Sequence, residues 1–508
     1  MEKRVLLATL LSLGFLFLWQ YFMYKPQQQK QNIVSKEEYK EKSASVNVNY
    51  LKKEIEENLF EPYIVETDYL KIVFNQYGAG IREVYVKEDN NLNNFTAVIK
   101  GDKDFFYLYP DLKYKIEQKD EGKQKIVVFS LEDKGVKKIF KFRKDKSNIE
   151  ENYLVDLDVQ FKNEKKIVLS FDQYIYSDKF SNEPNSVHIG YITKMDDKKE
   201  ILLVKKLDKF NSPIENYIEW LSVSGRYFIF ALILDKTLPV LVSVDKINKL
   251  PKKIVVSFSK PISSYSFKLL FAPKKILILE KLDKKLIQTV EWGTFAPLSK
   301  LFYNILVFFY KIFKNYGLAI VGLTIILQII TFPLTYNSIK AAAKMRQIQP
   351  QIQLLQKVYK DDPKRLNMEI MNLYKEKKVN PFGGCLPLLL QIPIFWALFT
   401  MLRNTYDLRG ASFVLWITDL SQPDRLVIPG LNIGIPVLVI LMGATMFLQQ
   451  FISGGFSDPQ QRSFAIMMPV IFTIMFFNFP SGLVLYWFIN NIFSISIQVV
   501  VNKSLKDK

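Results

Sequence analysis

The sequence is poor in the residues that most often bind metals or carry out acid–base catalysis. Its 508 residues include one cysteine, Cys385, and one histidine, His188. A single cysteine excludes an intramolecular disulfide and any zinc or iron–sulfur site built from several cysteines. A single histidine excludes a two-histidine metal site and argues against histidine-based catalysis. We therefore expect neither a metal nor a cofactor.

Charge is missing from long stretches of the chain. Hydrophobic residues make up 49% of it and charged residues 23%, as in a soluble protein, but residues 25–290 are dense in Lys, Asp and Glu. Other runs hold no charged side chain and approach the ~20 residues that cross a ~30 Å hydrocarbon core. These runs are 5–24, 317–335, 383–402, 433–452, 463–479 and 482–501. The pattern predicts an α-helical polytopic membrane protein with six spans, joined to a soluble part.

The first of these runs has the features of an uncleaved signal anchor. The charged segment MEKR precedes it, and no small-x-small cleavage site follows it. Its apolar stretch is also longer than that of a typical signal peptide. We assign residues 1–25 to a transmembrane anchor helix. Residues 26–60, which are rich in Gln, Lys and Glu, are predicted to form a linker.

Residues 61–280 are predicted to form an all-β domain. Short β-type runs recur there without intervening helical patterns, and several alternate apolar with polar residues. The clearest are KIVFN (71–75), REVYV (82–86), KKIFKFR (137–143), YLVDLDVQF (153–161), KKIVLSF (165–171), YFIFALIL (227–234), KKIVVSFS (252–259) and YSFKLLF (265–271). Many short strands favour an antiparallel sandwich that is large enough to bury its own core.

Basic residues predict the orientation of the spans. Residues 336–380 carry ten basic and four acidic side chains. Because positively charged loops stay in the cytoplasm, we place this segment, the N-terminus and the tail 503–508 on the cytoplasmic side. Residues 26–316 then lie on the outer, periplasmic side.

The membrane part has three predicted regions. Residues 281–316 form a connector that includes an amphipathic helix at 301–314, lying along the interface. Residues 317–502 form the membrane core. Within the core, 337–380 form a cytoplasmic helical hairpin that turns at KDDP (360–363), because Pro363 can end one helix and open the next.

The hairpin's positive charge allows two interpretations. It can be a solvated determinant of topology, or a basic docking surface for ribosomes, targeting factors or anionic lipid headgroups. The candidate docking residues are Lys357, Lys360, Lys364 and Arg365. The chain's net charge of +19 could also attract nucleic acid. The spans favour lipid and polypeptide partners instead, and we expect no specific nucleic acid.

Polar residues recur at helical spacing within two of the spans. Thr324, Gln328 and Thr331 share one face of the span at 317–335, and Trp487, Asn491, Ser494 and Gln498 repeat similarly in the last span. Buried amides need hydrogen-bond partners in lipid. The stripes therefore indicate either hydrogen bonds between helices or a hydrated cleft.

Methionine and phenylalanine are concentrated in the same spans. Phe395, Met401, Phe472 and Met475 are examples. Methionine is flexible and polarizable, so such surfaces accept many apolar partners. The alternative is ordinary core or lipid-facing packing.

Motifs of enzymes are absent from the sequence. It has no G-x-x-x-x-G-K-[ST] phosphate loop. No predicted span carries an Asp, Glu or Lys that could relay ions or protons, which argues against an ion-coupled transporter. We expect that the chain is not an enzyme.

Three longer segments resemble one family. VNPFGGCLPLLLQIPIFWALF (379–399), PVIFTIMFFNFPSGLVLYWFINN (469–491) and KMRQIQPQIQLL (344–355) are similar to the YidC/Oxa/Alb membrane-protein insertases. TDL-x-x-PD (418–424) and SDPQQ (457–461) resemble shorter motifs of that family. An anchor followed by a large outward β domain resembles its bacterial form.

The resemblance implies a β-supersandwich outside and a five-helix core with a hydrophilic groove. That groove is open to the cytoplasm and to lipid and closed on the outer side. A nascent chain's polar segment would enter it while the apolar segment slides along Phe395, Met401, Phe472 and Met475. Carried over by position, Thr324 and Trp487 line the groove, and we add Gln328, Tyr486 and Asn491. The family commonly has an arginine where this chain has Gln328, which supplies hydrogen bonds but no charge.

The resemblance makes an inner-membrane insertase and chaperone the leading hypothesis. It would act on nascent membrane proteins, alone or with the Sec translocon. A channel or small-solute transporter is the main alternative and is supported by the polar stripes. A membrane-tethered enzyme acting on sugars is a weaker one, because β-supersandwiches also occur in carbohydrate enzymes.

Overall fold

The computed structural model describes residues 59–506 except for short internal segments. These segments are 89–90, 101–103, 145–148, 172–185, 196–198, 207–213, 235–238, 248–249, 283–284, 380–385, 429–433 and 455–458. The predicted anchor, nearly all of the predicted linker and Cys385 lie outside the described residues. The chain forms two compact units, Met1–Ala272 and Pro273–Lys508.

The first unit consists of β-strands. Its strands are β1 (Pro62–Glu66), β2 (Leu70–Asn75), β3 (Gly80–Glu88), β4 (Asn91–Ile99), β5 (Lys115–Asp120), β6 (Gln124–Leu131), β7 (Val136–Arg143), β8 (Leu154–Lys165), β9 (Val168–Phe171), β10 (Ser186–Met195), β11 (Lys199–Lys206), β12 (Ile214–Asn216), β13 (Ile218–Ser224), β14 (Phe228–Ile233), β15 (Val240–Ile247), β16 (Leu250–Phe258) and β17 (Ile262–Pro273). Each of the eight β-type runs overlaps one of these strands, so the prediction of an all-β domain is confirmed.

These strands form three sheets. The largest has nine strands in the order β11-β10-β13-β14-β17-β8-β7-β6-β5, and two four-stranded sheets have the orders β1-β2-β3-β4 and β12-β15-β16-β9. The long β17 pairs antiparallel with β8, with Phe267 opposite Leu157. Side chains from the sheets meet in a core rich in phenylalanine, in which the Phe74 and Phe140 rings are 4.7 Å apart.

One inward position of β7 holds a lysine. Burial alternates along β7, with Val136, Phe140 and Phe142 facing inward, and Lys138 occupies the same buried face. Its Nζ donates hydrogen bonds to the carbonyl oxygens of Ala79 and Phe106, the latter at 2.6 Å. Both acceptor residues have a positive φ, 46° and 57°. Lys138 therefore ties two left-handed turns to the sheet.

The buried amine makes the stability of this unit depend on pH. Burial lowers the pKa of Lys138 to about 7, although the nearby Asp104 favours the charged form. Between pH 7 and the ordinary lysine value, the unfolded chain binds a proton that the folded chain does not. We therefore expect the free energy of unfolding to rise with pH in this window, by at most ~1.4 kcal/mol per pH unit.

The test is urea unfolding of a 59–273 fragment, followed by the fluorescence of Trp220. This tryptophan is the only one in that range and is fully buried. Lys138→Met should flatten the rise with pH, whereas the exposed Lys137→Met should keep it. Equal pH profiles for the two variants would contradict the expectation.

The second unit is helical. Its helices are α1 (Ile276–Lys281), α2 (Ala296–Phe313), α3 (Tyr316–Val358), α4 (Pro363–Glu376), α5 (Leu386–Asn404), α6 (Val437–Ile452), α7 (Pro459–Phe476) and α8 (Ser481–Lys506), with a short hairpin of β18 (Leu426–Val427) and β19 (Gly434–Ile435). Its core is apolar and includes Leu306, Leu323, Leu398 and Val484.

Among the described residues of this unit, two helices are long and apolar enough to cross a membrane. They are Tyr316–Val358 and Ser481–Ser504, and the shorter apolar helices are Val437–Ile452 and Ala465–Phe476. Helix α2, over the predicted interfacial helix, buries Phe302 and Leu306 and exposes Leu301, Phe308 and Ile312. One face of this helix is therefore packed inside the unit, and the other exposes large apolar side chains. Its position along the membrane interface stays a prediction.

Helix α3 extends without a break from the predicted span into the predicted hairpin. It has 43 residues and contains Pro333 and Pro350. The chain then turns at the predicted position, and the Asp362 side chain accepts a hydrogen bond from the Arg365 N–H at 3.1 Å, which caps α4. Ile348 and Ile352 of α3 pack with Tyr374 of α4 in a small apolar cluster.

Candidate functional site

The polar residues of the helical unit pair with one another between helices. The Gln328 side chain of α3 donates a hydrogen bond from Nε2 to Oδ1 of Asn490 on α8. Only nine per cent of Gln328 is exposed. No charged side chain lies within α3 before Lys340 or within α8 before Lys503. The hydrogen bond between these two helices is therefore made by neutral amides.

Two further polar contacts join α8 to its neighbours. Asn491 donates from Nδ2 to Thr445 Oγ1 on α6 at 3.2 Å and to the Met442 carbonyl at 3.4 Å. Gln391 of α5 donates from Nε2 to the Tyr486 hydroxyl at 2.8 Å. Asn491 and Tyr486 are both buried. Helix α8 thus makes polar contacts with α3, α5 and α6.

The threonines of the predicted stripe bond within their own helix. Thr324 is fully buried, and its Oγ1 donates to the Ile320 carbonyl at 2.7 Å. Thr331 donates in the same way to the Leu327 carbonyl at 2.8 Å. These hydroxyls satisfy their hydrogen bonds locally, so neither joins two helices.

Trp487 lies among the predicted apolar residues rather than with the polar ones. Its ring is 5.4 Å from the Phe395 ring, 5.5 Å from the Phe472 ring and 5.2 Å from the Phe476 ring. Edge-to-face and offset aromatic pairs at such distances are favourable beyond the area they bury. The aromatic cluster therefore brings α5, α7 and α8 together.

The remaining predicted apolar residues differ in exposure. Met401 is buried in the core, whereas Met475 is partly buried and packs against it. A more exposed stripe runs along α7, where Ile466, Val470 and Ile474 follow each other at helical spacing, and Phe477 continues it directly after the helix. This stripe was not predicted from the sequence, although its spacing of three and four residues could have indicated it.

The segment 405–436, where the structure describes it, covers one end of the helices. Asp424 is buried, and its carboxylate accepts from Trp416 Nε1 at 2.7 Å and from the Leu438 N–H at 2.5 Å. The second contact places a negative charge at the amino end of α6, where the helix dipole favours it. Asp424 thus caps a helix that has no side-chain cap of its own.

Further contacts hold the segment 405–428 to α2 and α8. Asp407 accepts from the Tyr303 hydroxyl at 2.9 Å. Burial and the adjacent Asp407 raise the pKa of Tyr303, which keeps this hydroxyl protonated as a donor. At the start of α8, the Ser481 N–H donates to the Gln422 carbonyl at 2.7 Å. The segment 405–428 is hereafter called the cap.

The candidate docking residues lie at the far end of the hairpin. Lys357, Lys360, Lys364 and Arg365 are all exposed, and they surround the turn between α3 and α4. Only Asp361 and Asp362 contribute negative charge at this turn. The turn therefore carries a net positive charge that is open to solvent.

Several residues that make contacts in this site were not among the site residues predicted from the sequence. Gln391 and Thr445 each stand alone among apolar residues, and Asn490 adjoins Asn491. An isolated amide in an uncharged run is the signal that could have identified Gln391. Among the described residues, no group of three His, Cys, Asp or Glu side chains could hold a metal ion.

Two family models match successive parts of the chain. The YidC periplasmic domain matches residues 63–305, and the 60Kd inner membrane protein family matches residues 308–508. The boundary between the matches falls within α2.

Curated relatives match the chain over its full length. The membrane protein insertase YidC of Endomicrobium trichonymphae is 35% identical over 534 residues, which cover 99% of this chain and 98% of the relative. The one of Geotalea uraniireducens (strain Rf4) is 30% identical and covers 99% and 100%.

Solved structures also include a similar chain. The crystal structure of an active YidC insertase with its first transmembrane domain resolved is 20% identical, covers 86% of this chain and 92% of that one, and has a TM-score of 0.42. The full-length similarity to curated insertases is what decides the family. The chain belongs to the YidC family of inner-membrane protein insertases.

Proposed function

We propose that the chain inserts and folds integral membrane proteins in the bacterial inner membrane, alone or beside the Sec translocon. A hydrophilic groove between α3, α5, α6 and α8 would receive the polar segment of a nascent chain. The observation that carries the proposal is the set of neutral polar pairs that α8 makes with its neighbours. Gln328, Tyr486 and Asn491 take part in these pairs. Thr324 and Trp487 are the other two residues that we propose to line the groove.

The Gln328–Asn490 pair represents the closed state of this groove. Hydrogen bonds between helices in a membrane contribute ~0.6 kcal/mol on average. A pair of that strength can separate when the polar groups of a substrate offer replacement bonds. Because neither residue is charged, the groove would accept polar segments by hydrogen bonding and hydration rather than by ion pairing.

The apolar segment of the substrate would follow the α7 side of the unit. The aromatic cluster around Trp487 and the exposed stripe beginning at Ile466 provide an apolar surface next to the polar pairs. Phe395, Phe472 and Met475 belong to the same side. Flexible methionine and large aromatic surfaces suit substrates of varied sequence.

The proposed topology has six spans. The anchor at 5–24 and the five later apolar runs place the N- and C-termini and the hairpin in the cytoplasm. The β domain then lies in the periplasm, and the cap closes the periplasmic end of the groove. No covalent chemistry, metal or cofactor takes part in this mechanism.

Sec-free proteoliposomes that contain only the purified chain provide the test. A short single-span substrate, released from a ribosome, should become protease-protected in the correct orientation. A photoreactive residue placed at position 328 should crosslink to the polar tail of the substrate, and one placed at position 487 should crosslink to its apolar segment. A photoreactive residue at the exposed Leu277 of α1 serves as the control and should not crosslink.

Two results would overturn the proposal. One is a lack of insertion both in these liposomes and in liposomes that also hold the Sec translocon. The other is a selective flux of small solutes through the purified chain without insertion, which would establish the channel alternative.

We expect the basic turn of the hairpin to contact anionic surfaces of ribosomes or lipid. Replacing Lys357, Lys360, Lys364 and Arg365 with Gln should weaken binding to ribosomes or to anionic vesicles. Each substituted residue should weaken binding about fivefold at most, because a charge near an anionic surface contributes ~1 kcal/mol. Because salt screens this attraction, the difference in binding between wild type and variant should be smaller at high salt. Cosedimentation at low and high salt measures it. A variant with Arg at the three lysine positions should bind normally, and unchanged binding of the Gln variant would restrict the charge to a role in topology.

A further inference from the structure

An apolar groove lies between α3 and α8, near the end of α8 that carries Lys503. Its volume is about 390 Å³, within the range of ~300–1,000 Å³ that ligand sites occupy. Phe332 and Tyr336 line it from α3, and the face of α8 from Ser496 to Ser504 lines it from the other side. Gln328 and Asn490 are not among the lining residues, so this groove is separate from the polar pairs.

The groove has an exposed apolar rim and a length that match the hydrocarbon part of a lipid. Phe332 is 44% exposed and Val500 is 68% exposed, so the rim consists of large apolar side chains that no element of the described part of the chain covers. Ser504 follows Ser496 by eight positions, which corresponds to ~12 Å along a helix. One leaflet contributes ~15 Å of the ~30 Å hydrocarbon core. The groove is therefore nearly as long as one leaflet is deep.

The two helical stretches that form the groove carry basic residues and no acidic ones. Lys340 follows Tyr336 by one helical turn on the same face, and Lys503 adjoins Ser504. Both lysines are exposed. The stretches 332–346 and 496–504 contain no Asp or Glu. Basic pockets between membrane helices are a common way to hold anionic headgroups.

We propose that this groove binds one anionic phospholipid. An acyl chain would lie between Phe332 and Val500, and the headgroup phosphate would lie near Lys340 and Lys503. Tyr336 and Ser504, which also line the groove, provide hydroxyl donors. A substrate helix is a poor occupant, because with its side chains it is ~10–12 Å wide, and an extended peptide would find few partners for its backbone groups.

Native mass spectrometry of the full-length protein in detergent tests this site. Phosphatidylglycerol and phosphatidylcholine with identical chains are offered separately. Wild type should retain one phosphatidylglycerol and prefer it about 30-fold, because two lysines at ~1 kcal/mol each give that ratio. Lys340→Gln with Lys503→Gln should bring the preference close to one.

Filling the groove should remove the lipid. Val500→Trp places an indole between the helices and should reduce retention of phosphatidylglycerol at least tenfold. Val499→Trp is the matched control, since Val499 is 49% exposed and does not line the groove. Ser496→Phe fills the deeper end and should act like Val500→Trp, which covers the case that one variant fails to fold. Equal retention of the two lipids by wild type, or normal retention in both filled variants, would overturn the proposal.

Discussion

Locking α3 to α8 at Gln328 and Asn490 should abolish insertion. The change is Gln328→Cys with Asn490→Cys in a Cys385→Ser background, which removes the only native cysteine. A short thiol-to-thiol crosslinker then holds the two helices at their amide contact. We expect insertion of a single-span substrate into liposomes to fall at least tenfold after crosslinking. Cleavage of the linker should restore it.

The physical reason lies in the strength of the contact. The native amide pair, at ~0.6 kcal/mol for an average hydrogen bond of this kind, opens readily, whereas a covalent link does not open. Without separation of α3 from α8, the polar segment of the substrate finds no partner among the helices. The polar segment would then have to cross the hydrocarbon with unsatisfied backbone groups, and each such group costs several kcal/mol.

A second crosslinked pair is the matched control. Thr445→Cys with Asn491→Cys joins α6 to α8 through side chains that are 3.2 Å apart in the wild type. This link restrains α8 equally but leaves the α3 contact free. Because Asn491 itself takes part in the proposed groove, insertion is compared with that of the same double-cysteine variant before crosslinking, and this link should not lower it further. Equal inhibition by both links would show that α8 must move as a whole, and unimpaired insertion with the first link would refute the gate at Gln328.

The sequence predicts elements well where periodicity is strong. The alternation in KKIFKFR (137–143) matches β7, in which inward and outward residues alternate in burial. The KDDP turn likewise ends α3 and caps α4. In these cases the local pattern and the packing of the element favour the same structure, and no distant partner is needed.

The partners of the polar residues could not be read from the sequence. Gln328 and Asn490 are 162 positions apart, and a helical stripe identifies a face but not the residue that meets it. Lys138 shows the same limit, because its buried position depends on the carbonyl groups of two distant turns. The unbroken α3 is a different case. A proline inside a helix removes one backbone hydrogen bond, yet α3 continues through both Pro333 and Pro350.

Gly317, near the start of α3, is the position where a single methyl group should have the largest effect on the core. A Cβ at this residue would lie 2.0 Å from Cδ2 and 2.3 Å from Cγ of the Phe413 ring. Phe413 belongs to the cap, and its carbonyl accepts a hydrogen bond from the Asn315 side chain at 3.2 Å. The ring therefore rests directly on the α3 backbone, and the contact exists only because residue 317 has no side chain.

Gly317→Ala should accordingly displace the Phe413 ring and loosen the cap over the helix ends. Overpacking of this kind costs ~1–3 kcal/mol, and the lost cap contacts add to it, so thermal unfolding in detergent should shift clearly downward. Phe413→Ala by itself removes buried apolar surface and is also destabilising. The double variant should nevertheless be more stable than the sum of the single effects predicts, because the methyl group no longer meets a ring. Strictly additive effects would show that Phe413 does not press on Gly317. As a control on the same helix, Gly322→Ala meets the Phe309 ring at 2.9 Å, away from the cap, and its cost should be unaffected by Phe413→Ala.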